Sequence, residues 1–276
     1  MPEIEDSTSE EDAGASTRPR RKGIYVLPNA VTLAALFAGF YAIVMAMNGR
    51  FEIAAIGIFC AAVLDSLDGR IARMTNSQSA FGEQMDSLCD MVNFGAAPAL
   101  IVYEWALKGL GKMGWIPAFV YIAGAALRLA RFNTNIGIVD KRFFQGLPSP
   151  AAAALVMGLI WVVESSTSLR VHLGSPALAW TAFVVTLYGG LTMVTNAPFY
   201  SFQVVGAKQT VPFVVIVAIA LGIALISQDP PLALFALFCL YGLSGYAVYA
   251  WRKFQGKPAS VIAISTDEPD EKGLHQ

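Results

Sequence analysis

Eight stretches of this chain are apolar for long enough to cross a bilayer, at roughly 29–48, 52–75, 83–107, 114–136, 148–164, 176–195, 211–228 and 231–251. A hydrocarbon core about 30 Å thick takes about 20 residues of helix, and backbone in lipid must satisfy its own hydrogen bonds, as a helix does. The pattern therefore predicts an all-α fold, a polytopic transmembrane bundle of about eight helices. The last two are joined by Asp229-Pro230-Pro231, a tight connection of antiparallel helices. With 55% hydrophobic and 14% charged residues, the composition departs from that of a soluble domain.

Charge is spread unevenly. Six of the 20 acidic residues lie in the first 12 positions and four more at 267–271. Residues 1–22 are Ser/Glu-rich and end in Arg18-Pro19-Arg20-Arg21-Lys22, which reads as a disordered tail rather than a secretory signal. Residues 256–276 read as a second tail, leaving 23–255 as the membrane domain. If the N-terminus is cytoplasmic, 15 of the 19 Lys and Arg fall on the inside and four (Arg50, Lys108, Lys112, Arg170) outside. That bias predicts that both termini are cytoplasmic. A net charge of −1 with no basic stripe argues against nucleic-acid binding. Cys60, Cys89 and Cys239 are odd in number, far apart and set in apolar runs, so they suggest neither a disulfide framework nor a zinc site.

Of the ten acids outside the tails, Asp65, Asp68, Asp86 and Asp90 fall within 26 residues, in sequence that otherwise reads as membrane helix. On a helix, Asp65, Asp68, Gly69, Ala72 and Arg73 share one face, and so do Gly82, Asp86 and Asp90 on the next. Two facing helices can thus gather four carboxylates. Acids at membrane depth are costly unless paired, and the single Arg73 cannot balance four. Divalent cations can: oxygen ligands suit Mg²⁺ or Mn²⁺, and two ions about 3.5–4 Å apart clamp a phosphoryl group. Glycines at 69 and 82 let a substrate approach the backbone, and the forked donors of Arg73 suit a phosphate oxygen. A polytopic transporter with a cation path lined by the same acids is the alternative.

Residues 65–90 match the pattern DxxDGxxARx8Gx3Dx3D at every fixed position, and the chain thereby resembles the CDP-alcohol phosphatidyltransferase family. The resemblance implies transfer of a phosphatidyl or similar phosphoryl group from a CDP-linked donor to an alcohol, with release of CMP. It implies that Asp65, Asp68 and Asp86 ligate two divalent ions (Mg²⁺ or Mn²⁺) and that Asp90 ligates and is the general base. It further implies that Asp65, Gly69, Arg73 and Gly82 bind the CDP donor, and that the protein is a homodimer.

Outside that motif, Asn93-Phe94-Gly95-Ala96-Ala97-Pro98-Ala99, Arg128-Leu129-Ala130-Arg131-Phe132-Asn133 and Phe144-Gln145-Gly146-Leu147-Pro148-Ser149-Pro150-Ala151 resemble the integral-membrane phosphatidylserine synthases of that family. The expected substrates are therefore CDP-diacylglycerol and L-serine, in a cytoplasmic (inner) membrane with the active site facing the cytoplasm. Serine needs an Arg for its carboxylate and polar acceptors for its amine; Arg128, Arg131, Asn93 and Ser149 are the candidates. Glycerol 3-phosphate, the acceptor of a phosphatidylglycerophosphate synthase, suits the arginine pair equally, and Arg131 also fits an interfacial anchor snorkelling to water. Glu104 and Glu164 are expected at the outer interface, and Glu83 is expected to point away from the Asp86/Asp90 stripe.

Overall fold

The computed structural model describes residues 26–75, 77, 79–134, 143–200, 220–222, 224 and 226–255. Helix α1 spans Val26–Met47, with Pro28 in its first turn, where no intrahelical N–H is needed. A turn through Gly49 (φ 70°) returns the chain into α2, Phe51–Met74. The two pack tightly through small residues: Ala42 of α1 meets Gly57 of α2, where a Cβ would lie 3.0 Å from the alanine methyl. Small residues let membrane helices approach closely where lipid supplies no hydrophobic drive.

After a polar break, the Ser79 hydroxyl caps α3 (Ala80–Asp90) by accepting from the Gly82 N–H at 3.1 Å. The cap sets the start of this span three residues before the expected 83, because Ser79 supplies the acceptor that the orphan N–H groups need. The span continues through a π-helical segment, Met91–Ala96, into α4, Ala97–Trp105. A proline explains the π segment. In an α-helix the Phe94 carbonyl would take its bond from residue 98, but Pro98 has no N–H to give. The ladder widens here, and the Ala97 N–H bonds Val92 O, five residues back.

A 3-10 stretch, Leu107–Met113, broken at Gly111 (φ 60°), leads to α5, Trp115–Thr134. Helix α6, Ser149–Ser165, is buried on every side from Ala151 to Ile160, as befits an apolar helix at the centre of a bundle. A short α7, Thr167–Arg170, lies in the loop that shows no pattern in the sequence. Ser175 and Pro176 open α8, Pro176–Val194, and α9 is Pro230–Phe254. Helix α5 crosses α8 where Gly124 meets the Gly190 backbone so closely that a Cβ would collide with the Gly190 carbonyl.

One element was not expected in an all-α fold. Strands β1 (Phe143–Gln145) and β2 (Pro198–Tyr200) pair antiparallel, with Phe144 opposite Phe199. Gly146 (φ 76°) turns the chain from β1 toward α6; a Cβ there would strike the Met193 and Thr195 carbonyls. This clasp ties the α5–α6 connection to the end of α8, and the buried Phe199 ring packs on Gly245 and Tyr241 of α9.

Five segments among the described residues are long and apolar enough to cross a membrane: Leu27–Met47, Ala80–Trp105, Trp115–Thr134, Pro176–Val194 and Pro230–Arg252. Helix α2 has spanning length at 24 residues but carries Asp65, Asp68, Arg70 and Arg73 in its second half. Helix α6 is short at 17 residues. Most of the expected helix at 211–228 lies outside the described residues, as do both expected tails; its described part, within 220–228, is helical. The chain is an integral membrane helical bundle.

Candidate active site

Helices α2 and α3 bring three of the four motif aspartates together. One carboxylate oxygen from each of Asp65, Asp68 and Asp86 lies within 4.8 Å of the others. Asp68 is only 4% exposed, with the Thr32 hydroxyl of α1 and the Gly69 N–H beside its carboxylate. Asp90 sits one turn further along α3, its carboxyl against that of Asp65. Asp65 Oδ1, Asp68 Oδ2 and Asp90 Oδ1 are buried without a hydrogen-bond partner. Four acids in a bundle with three orphaned oxygens are a costly arrangement unless a cation completes them. The donor set, all hard oxygen, fits Mg²⁺ or Mn²⁺.

Beside the aspartates opens a cavity of about 200 Å³. Asp68, Gly69, Ala72 and Arg73 form one wall, and Gly82, Glu83 and Asp86 another. A Cβ added at Gly69 would meet nothing nearer than the Arg73 guanidinium at 3.7 Å, so the missing side chain is open cavity. At Gly82 it would approach Ser79 Oγ at 3.2 Å and Asn29 Oδ1 at 3.5 Å. Glu83, expected to face away, stands exposed at the rim. The third wall was missed in the sequence: Pro28, Asn29 and Thr32 from the start of α1, with Ser77 and Ser79 from the turn before α3. The available signal was the pair of polar residues Asn29 and Thr32, three apart on one helix face next to apolar sequence.

The candidate acceptor residues divide. Arg128 of α5 donates through Nη1 to Ser149 Oγ at 2.8 Å, while its buried Nε has no partner. Its charge acts on Asp90 at longer range than an ion pair and adds a second positive charge to that of Arg73. Ser149 is fully buried at the start of α6. Asn93 is also fully buried, with neither end of its amide bonded, and it presses on Gly39 of α1 so closely that a Cβ there would collide with its Oδ1. Arg131 goes elsewhere: Nη1 donates to Asn196 Oδ1 (3.1 Å) and Val194 O (3.4 Å) at the end of α8, one turn beyond Arg128. Asn133 pairs with Ser87 of α3 at 3.2 Å.

The outer acids have structural partners. Glu104 pairs with Lys108 at 2.9 Å on the surface. Glu164, expected at the interface, is 5% exposed and accepts from Trp105 Nε1 (2.8 Å) and Arg170 (3.2 Å), which explains how it tolerates burial.

Among known proteins, the model of the CDP-alcohol phosphatidyltransferase family matches residues 25–188 of this chain. The chain belongs to that family. The matched span carries all four aspartates, the glycines at 69 and 82, and Arg73, Arg128 and Ser149. The chain is 33% and 34% identical, over 221 residues, to the CDP-diacylglycerol–serine O-phosphatidyltransferases of two strains of Helicobacter pylori. Each alignment covers 80% of this chain and 90% of the relative. It is also 30% identical over 236 residues to the protein of that name from Mycobacterium leprae, covering 82% of this chain and 76% of the relative. Members of this family are transferases and generally depend on a metal, in keeping with the aspartate cluster.

Proposed function

We propose that this member of the family transfers the phosphatidyl group of CDP-diacylglycerol to the hydroxyl of L-serine, giving phosphatidylserine and CMP. The observation that carries the reading is the aspartate cluster with its orphaned oxygens beside a cavity walled by Gly69, Gly82 and Arg73. The names of the relatives support the choice of serine. The 15-to-4 division of Lys and Arg supports a site facing the cytoplasm from the cytoplasmic (inner) membrane. Resemblance to the family supports a homodimer.

In this reading the CDP group occupies the cavity. Gly69 and Gly82 leave room for it, and Arg73 holds a phosphate oxygen with its forked donors. Asp65, Asp68, Asp86 and Asp90 would hold two divalent ions. When bound, these neutralise the pyrophosphate and the charge developing on departing CMP. Arg128, fixed by Ser149, turns its unpartnered Nε toward the serine carboxylate, and Asn93 adds a buried amide. Asp90 takes the proton of the serine hydroxyl as its oxygen attacks the phosphorus that carries diacylglycerol. The bond from that phosphorus to the CMP oxygen breaks as the new one forms, so one displacement completes the transfer.

Purified protein in detergent, given CDP-diacylglycerol and Mg²⁺ or Mn²⁺, is expected to release CMP with L-serine in preference to glycerol 3-phosphate or inositol phosphate. Release with glycerol 3-phosphate alone would keep the mechanism and overturn the acceptor. Arg128→Lys is expected to raise the KM for serine about 10–100-fold, the loss of a charged, forked hydrogen bond, with little change in the donor KM. Serine methyl ester, which lacks the carboxylate, checks the pairing: the substitution should cost the ester much less than serine. Equal losses on both would remove Arg128 from the carboxylate.

A further inference from the structure

Tyr121, on α5, is completely buried and its hydroxyl donates to Phe94 O at 3.0 Å. That carbonyl is the one that Pro98 leaves without an α-helical donor, inside the π segment that begins immediately after Asp90. The tyrosine thus supplies, from a neighbouring helix, the bond that Pro98 cannot give. π turns inside α-helices recur at functional sites, and this one lies one turn from Asp90. Two turns along α5 from Tyr121, on the same face, is Arg128, which bonds Ser149.

The packing around the phenol leaves it no second place. Ala125 fits against Gly95 of the π segment, where a Cβ would lie 3.2 Å from the alanine methyl. On the other side, a Cβ at Gly189 would lie 3.3 Å from the Tyr121 ring, and one at Gly190 would lie 2.7 Å from its Cα. Glycines thus bring α5 against both the π segment and α8, with Tyr121 wedged between them.

We propose that Tyr121 is a positioning residue for the transfer: by holding the Phe94 carbonyl it fixes the π turn that follows Asp90, and so fixes the direction in which the Asp90 carboxylate meets the acceptor for proton removal. This rests on the assignment of Asp90 as the base in the proposed function. It touches neither donor nor metal, whose other ligands stand on α2 and earlier on α3.

The test is Tyr121→Phe, assayed by CMP release with whichever of L-serine, glycerol 3-phosphate or inositol phosphate the wild type uses best, so that an error in the acceptor does not touch it. The expected result is a fall in kcat of tenfold or more, with the donor KM and Mn²⁺ affinity within about twofold of wild type. Unchanged kcat overturns the proposal. Because Tyr121→Phe also leaves a buried carbonyl unpaired and can weaken folding, the double variant Tyr121→Phe/Pro98→Ala is the control. Alanine at 98 restores an N–H for Phe94 O and lets the turn relax to α. Recovery of Tm with kcat still low supports positioning; recovery of both overturns it, since the hydroxyl then only satisfied a carbonyl.

Discussion

Asp90→Asn is expected to lower kcat by about 10²–10⁴-fold, the usual worth of a positioned general base, while CDP-diacylglycerol still binds. The substitution keeps the size of the side chain and one acceptor oxygen but removes the carboxylate proposed to take the proton. Asp90 is not one of the three aspartates whose oxygens cluster within 4.8 Å of one another, although its carboxyl lies against that of Asp65, so Mn²⁺ affinity should fall less than turnover. The two are read separately, by CMP release under saturating metal and by Mn²⁺ titration of the same protein. Near-normal kcat would place the base elsewhere; loss of activity that excess Mn²⁺ restores would make Asp90 a ligand only.

The second large effect concerns the cluster itself. Chelation is expected to abolish CMP release, and Asp65→Asn is expected to do nearly the same by removing a carboxylate that touches both the three-aspartate group and Asp90. Its effect on stability changes sign with metal. Without cations the wild type holds four acids at close quarters in a bundle, with orphaned oxygens and Arg128 as their inner counter-charge. Asparagine at 65 spares the folded state the cost of burying or protonating that carboxyl, so the metal-free variant should melt above the metal-free wild type. With metal the order reverses, because a ligand present at 100 times its Kd stabilises the folded wild type by about 2.7 kcal/mol, which the variant forgoes. Thermal melts of both proteins with and without Mn²⁺ check this. A variant that melts lower in both conditions would mean that Asp65 is held by structure rather than by a cation.

The aspartate group was legible because its information is local. Spacings of three and four residues fix which side chains share a helix face, and two such faces joined by a short break can only meet. The same logic placed the helices, since length and apolarity decide what crosses a bilayer. What the sequence withheld depends on partners far along the chain. That Arg128 turns inward to Ser149 while Arg131, three residues on, goes to Asn196 is decided by where α6 begins and α8 ends. Both arginines satisfy the same charge rule. The β1–β2 clasp spans more than 50 residues of intervening chain and has only three-residue strands, too short for an alternating pattern to register. The π turn needed Pro98 read together with a tyrosine on another helix. Asn29 and Thr32 stand far from the aspartates along the chain, and only the packing of α1 beside α2 and α3 brings them to the cavity.

The cavity takes its walls from α1, α2 and α3, whereas Arg128 and Ser149 belong to α5 and α6, held from outside by the clasp and α8. Asp90 is the carboxylate of the first set on which the Arg128 charge of the second acts, and Ser87 and Asn133 join the two by a hydrogen bond. On the roles proposed above, alterations in α5 and α6, with Asn93, would re-tailor the incoming alcohol while the nucleotide cradle stayed as it is, so that the nucleophile could change without the leaving-group chemistry being rebuilt. Diversification of head groups on a common lipid anchor is then a matter of redecorating one half of the bundle.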